Sequence, residues 1–158
     1  MYLKQHIFFG FIFAIALFLL FPKIGFLGFS IIFLSSVLID IDHYIYYIYE
    51  KKDFNLKNAY KCFIQIDSYC RALPWKQRTN LKGQFYIFHG VELLLLLILL
   101  SFFFNFFIFI FTGFAFHLLL DLLDQTTYWD KIDKLSTIHD ILKNKKINYP
   151  KTHPLKKL

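Results

Sequence analysis

The sequence predicts an all-α integral membrane protein, a four-helix bundle with an amphipathic surface helix in its central loop. Three observations carry that prediction. The first is excess: 57% of the 158 residues are hydrophobic and 22% aromatic, with 22 Phe, against about 45–50% apolar in a soluble domain. The second is segregation: apolar residues fill 7–21, 24–39 and nearly all of 85–123, and charge fills the gaps. The third is the length of the last block. A straight helix from Phe85 to Asp124 would span about 60 Å, twice a hydrocarbon core of ~30 Å, so the block crosses twice.

Each element follows in order. Helix one covers about 3–21 and ends at Pro22-Lys23, because proline cannot continue a helix and lysine seeks water. Its Lys4 start resembles a signal peptide. No small-x-small cleavage site follows, and another apolar block begins at once, so the segment is expected to stay as a membrane helix. Helix two covers about 24–49, and Tyr44, Tyr46, Tyr47 and Tyr49 suit a membrane–water boundary. In the basic loop 51–84, Leu56, Tyr60, Phe63, Ile66, Cys70 and Leu73 recur at helical steps and predict a surface helix ended by Pro74. Helices three and four cover about 85–101 and 105–124, with the turn near "SFFFNFF" and Ser101 or Asn105 at its tip. Residues 1–125 thus form the membrane domain and 126–158 a basic tail. Cys62 and Cys70 make neither a disulfide framework nor a zinc ribbon and are read as free thiols.

Charge orients the bundle. The net charge is +7. Of 18 Lys and Arg, Lys4 lies at the N-terminus, eight lie in the loop 51–82 and eight in the tail; only Lys23 lies on the opposite side. The positive-inside rule places the loop and both termini in the cytosol of a cell inner or plasma membrane. The same charge predicts anionic lipid head groups as partners. No groove-reading motif accompanies it, so specific nucleic-acid binding is not expected.

In this frame the polar residues gather at one end. His6 starts helix one. Asp40, Asp42 and His43 end helix two. His89 and Glu92 start helix three. In "FHLLLDLLD" His117, Asp121 and Asp124 end helix four. Asp40–His43, His89–Glu92 and His117–Asp121 each share a helix face. Pairs of N and O ligands on facing helices are how bundles build metal centres. An insertion scale charges about 2.5–3.5 kcal/mol for one central Asp, so several acids and imidazoles need a metal or a polar cavity as compensation. The expected ligands are His6, Asp40, Asp42, His43, His89, His117 and Asp121. Glu92 is a further ligand or the general base, and Asp42 shares a catalytic role. The donor mixture suits zinc, manganese or iron better than magnesium. The number of donors exceeds one tetrahedral site and favours two or more ions. Asp124 is read as solvated beyond the helix end, and His139 and His153 carry no assigned role.

"LIDIDH" (38–43), "FHGVE" (88–92) and "GFAFHLLLDLLDQ" (113–125) together resemble a family of small membrane-bound metal-dependent hydrolases, the group of LexA-binding, inner-membrane-associated hydrolases. The resemblance covers the chain to about Gln125 and falls on His6, Asp40, Asp42, His43, His89, His117 and Asp121. It departs at "KGQFYIFHGVE" (82–92), which lacks the His-Arg pair that many members carry, and "LIDIDH" lacks the proline common before the first Asp. The His-x-x-x-Asp pair is also similar to those of zinc-dependent phospholipase C. The resemblance implies a metal-dependent hydrolase, and a phosphoester or lipid-related substrate is the expectation, with the metal at the cytosolic face. Two other functions fit the composition: a non-catalytic membrane scaffold with a structural metal or polar cluster, and a metal or proton transporter. Transport calls for polar groups along a path, and the outer half offers only Ser30, Ser35 and Asn105.

Overall fold

A computed structural model describes residues 3–73, 87–128 and 136 of the chain. Among these it is helical, with no strand: α1 (Leu3–Leu20), α2 (Gly25–Leu38), α3 (Ile41–Lys51), α4 (Leu56–Ala72), α5 (Val91–Ser101) and α6 (Phe106–Tyr128). Three stretches are long and apolar enough to cross a membrane: Leu3–Leu20, Pro22–Lys51 and Phe106–Thr127. The expected first helix, the turn at 102–105 and the surface helix fall where the pattern placed them.

The third crossing differs. α5 begins at Val91, not near 85, and its 11 residues rise only about 16 Å, half a hydrocarbon core. Ile87–Gly90 form a turn instead, with Gly90 extended at φ −99° and ψ 148°. The Phe88 N–H donates to Asp42 Oδ2 at 3.1 Å, which satisfies that backbone outside a helix. Residues 85 and 86 lie outside the described set. α1, α2 and α6 pack against one another, with α2 in contact with both, and α5 leans on α6.

Small residues set this three-helix core. Close backbone approach holds these helices together, the packing that apolar helices would need in lipid, where their apolar attraction vanishes. His6, Gly10 and Ala14 are the buried stripe of α1. A Cβ on Gly10 would overlap Ser36 Oγ. One on Gly113 of α6 would overlap Ser35 Oγ and the Ile32 carbonyl and lie 2.9 Å from the Ser36 nitrogen. The large apolar residues point outward instead: Phe8, Phe26, Leu95 and Phe102 are all exposed.

Helix two, expected as one piece over 24–49, breaks at Ile39–Asp40. The Asp40 N–H donates to the Val37 carbonyl at 3.3 Å and the His43 N–H to the Asp40 carbonyl at 3.1 Å, the tighter i to i−3 pattern. Beyond the break, the Asn55 side chain accepts from the Lys57 and Asn58 N–H groups and caps α4. Tyr47, Ala59 and Cys62 are buried together against Tyr44, Tyr46, Phe63 and Ile66. Leu56 and Tyr60 are exposed, so the buried stripe of α4 is rotated from the expected one, and α4 packs on α3 rather than resting on lipid alone. Arg71 donates to both oxygens of Asp124 at 3.2 and 2.9 Å. Asp124 is therefore not a solvated helix end but the anchor that ties α4 to α6. Cys62 is a free, buried thiol. His139 and His153 lie outside the described residues, as does the tail apart from its first residues and Ser136.

Candidate metal centre

Each predicted ligand reaches the site by an identifiable local cause. His6 lies one turn before Gly10 and His117 one turn after Gly113, so the glycines that admit α2 carry these imidazoles inward on the same faces. Their rings stack, with centroids 3.9 Å apart. Asp40 and His43, three residues apart, fall on one side of the Ile39–Asp40 turn, and Asp42 falls on another. His89 comes from the turn before α5, and Asp121 lies one turn beyond His117.

Three imidazole nitrogens converge on one carboxylate oxygen. Asp40 Oδ1 lies 3.3 Å from His43 Nε2, 3.6 Å from His89 Nε2 and 3.4 Å from His117 Nε2. Asp121 Oδ2 lies 3.6 Å from His89 Nε2 and 3.4 Å from His117 Nε2, and its Oδ1 lies 3.1 Å from His6 Nε2. His6 and His117 are 1% and 0% exposed.

The other ring nitrogens decide the protonation pattern. His117 Nδ1 lies 2.8 Å from the Ser36 carbonyl, which can only accept, so Nδ1 carries the proton. His89 Nδ1 likewise donates to Asp42 Oδ2 at 2.9 Å. In the neutral rings, Nε2 is then a bare lone pair aimed at carboxylate oxygens. Lone pair facing carboxylate is repulsive unless a cation lies between them. The separations of 3.4–3.6 Å from these Nε2 atoms to Asp40 and Asp121 are long for hydrogen bonds, which cluster near about 2.9 Å. They match the edge of a tetrahedron, about 3.3–3.6 Å, built from metal–ligand bonds of about 2.0–2.2 Å. Neither Nδ1 of His6 nor Nε2 of His117 has a hydrogen-bond partner, although both are buried. The donor set therefore fits a metal ion.

Among the described residues three ligand groups suit an ion: His6, Asp40 and His117; Asp40, His43 and His89; and His89, His117 and Asp121. Six of the seven expected ligands are thus brought together. Asp42 is placed one step back, where it orients His89, the arrangement that aims metal-binding imidazoles. Glu92 is not in these groups; its carboxylate accepts from the Ser136 hydroxyl. Sequence reasoning missed the Ser36 carbonyl, because a backbone acceptor leaves no residue-type signal. It also passed over Gly10 and Gly113, whose four-residue offset from His6 and His117 was visible. Compared with protein-family models, curated proteins and solved structures, the chain has no match.

Proposed function

We propose that this protein is a membrane-bound, metal-dependent hydrolase of phosphoesters. The observation that carries the reading is the set of imidazole nitrogens facing the carboxylates of Asp40 and Asp121 at metal-polyhedron spacing. The mixture of nitrogen and oxygen donors suits zinc, with manganese or iron as alternatives. Each pair of ligand groups has one residue in common, Asp40, His89 or His117, which favours two or more neighbouring ions. When bound, such ions supply Lewis acidity, making water a nucleophile at neutral pH and polarising a phosphoryl oxygen.

The chain's own residues do the rest. Asp42 and the Ser36 carbonyl hold His89 and His117 in the tautomer that leaves Nε2 free to ligate. Asp40 and Asp121 balance cationic charge in an apolar surround. Asp40, Asp121 and His43 are the partly open side, at 17%, 16% and 27% exposure, and admit substrate and water there. The motif resemblance at 38–43, 88–92 and 113–125 points to the same class. The charge distribution puts both termini in the cytosol of the inner or plasma membrane. Lys57 and Lys61 of α4 are exposed and attract anionic head groups.

The test is metal content of the detergent-purified protein by mass spectrometry, beside His117→Ala and Asp121→Ala, with bis(p-nitrophenyl) phosphate as the probe. Two or more zinc, manganese or iron ions per chain are expected, lost in both variants, with turnover that a chelator abolishes. A folded protein that binds none under metal-replete conditions overturns the reading. Stable metal without turnover of any phosphoester assigns the centre to scaffolding instead.

A further inference from the structure

We propose that the metal centre lies inside the hydrocarbon layer, about one and a half helical turns beneath its cytosolic edge, and takes an amphiphilic phosphoester held in the bilayer. The substrate half of this proposal rests on the hydrolase reading above; the depth does not. It starts from helix register. In the apolar span Phe106–Thr127, His117 stands eleven residues from one end and ten from the other. The helical rise from the far hairpin ends to His6, Asp40 and His117 is about 16–22 Å, while the hydrocarbon core is ~30 Å thick. Continuing along α6, Asp124 and its partner Arg71 stand about 27 Å from the far end. That bridge, not the ligand cluster, sits at the depth of a membrane edge.

Surface chemistry agrees independently. Exposed apolar residues do not stop at the ligand plane. Ile41 and Ile45 on α3 are 47% and 50% exposed, and Leu119 and Leu123 on α6 are 50% and 54% exposed, all on the cytosolic side of it. An aqueous edge at the ligands would leave these four side chains in water. Ionisable groups at this depth are costly and mark a site of function. The partly open Asp40, Asp121 and His43 thus lie at a depth where the exposed side chains are apolar. A ligand with a phosphoester head and an apolar tail satisfies both: the head meets the cluster, and the tail stays in the surrounding hydrocarbon. A free phosphoester would have to leave water to reach the cluster.

The experiment places single tryptophans in a Trp75→Phe, Trp129→Phe background and reads quenching by brominated phosphatidylcholines in vesicles. Leu119→Trp, with Leu123→Trp as a second probe, reports depth near the centre, and Phe103→Trp marks the far edge. Retained metal content certifies each fold. The expected result is that Leu119→Trp loses most fluorescence with bromines deep in the acyl chain, and Phe103→Trp with bromines near the head group. Equal, shallow quenching at both positions overturns the depth. In mixed micelles of the metal-loaded parent protein, hydrolysis should follow the mole fraction of phospholipid at fixed bulk concentration. Turnover of bis(p-nitrophenyl) phosphate without turnover of phospholipid overturns the substrate class. Turnover of neither overturns the hydrolase reading and the substrate class with it, while quenching still decides the depth.

Discussion

Asp42 shows how one carboxylate can matter without touching a metal. Its Oδ2 accepts from both His89 Nδ1 and the Phe88 N–H. It therefore fixes the ring and the turn that carries the ring. Asp42→Asn keeps the volume but removes the charge that pulls the proton onto Nδ1. The expected result is metal affinity weakened about 10–100-fold, with helical content unchanged, measured by competition with a chromogenic chelator. Unchanged affinity would show that Asp42 does not aim His89. Asp53 makes a second prediction at this scale. Its carboxyl is held below the usual carboxylate range by the Tyr47 hydroxyl, the Asn58 amide and the Asn55 N–H. A lowered folded value means that its stabilising contribution is complete above the unfolded value and is lost as pH falls through the folded one. Hydrogen exchange of the first turn of α4 should accelerate on acidification below the usual carboxylate range. That acceleration should disappear in Asp53→Asn.

At the scale of elements, the decisive contacts are backbone on backbone. α6 approaches α2 where Gly113 meets Ser35, Ser36 and the Ile32 carbonyl. A larger side chain there must push α6 away and take His117 with it. Gly113→Leu is expected to cost about 1–3 kcal/mol of stability and to lose metal together with it. Gly25→Ala would not disturb packing, since nothing lies within 4 Å, but strains a φ of +65°; it should retain metal. The bridge from Arg71 to Asp124 joins α4 to the same helix. Arg71→Ala leaves a mostly buried carboxylate without its guanidinium, a loss of about 1–3 kcal/mol. Thermal unfolding in detergent should fall for Arg71→Ala and fall less for the double variant with Asp124→Asn.

At the scale of the whole molecule, the candidate centre joins every packed unit except α4. Its six ligands come from α1, the α2–α3 break, α3, the turn before α5, and α6. Metal bound there would therefore also supply tertiary stabilisation. An ion at 100 times its Kd contributes about 2.7 kcal/mol per site. Chelation should lower the melting temperature of the parent protein and leave that of His117→Ala unmoved. Equal shifts in both would place the stabilising metal elsewhere.

Much of this was determined by the sequence alone. Blocks of Phe, Leu and Ile separated by Pro22-Lys23 and the basic loop suffice to place α1, α2 and α6, and the helical steps of Leu56, Tyr60, Phe63 and Ile66 place α4, because helix formation depends on local composition, period and length. His6, Asp40, His43, His89, His117 and Asp121 were legible too, because ionisable groups in apolar blocks demand partners. The tertiary structure decided what depends on non-local contact. The break at Ile39–Asp40, the late start of α5 and the pairing of Asp124 with Arg71 carry no period or composition of their own. They follow from which backbone groups find partners elsewhere: Phe88 on Asp42, His117 on the Ser36 carbonyl. The division between ligand and support is likewise tertiary. Asp40 and Asp42 stand two residues apart in one motif, and only the placement of the other elements sets one against three imidazole nitrogens and the other at the back of a single ring.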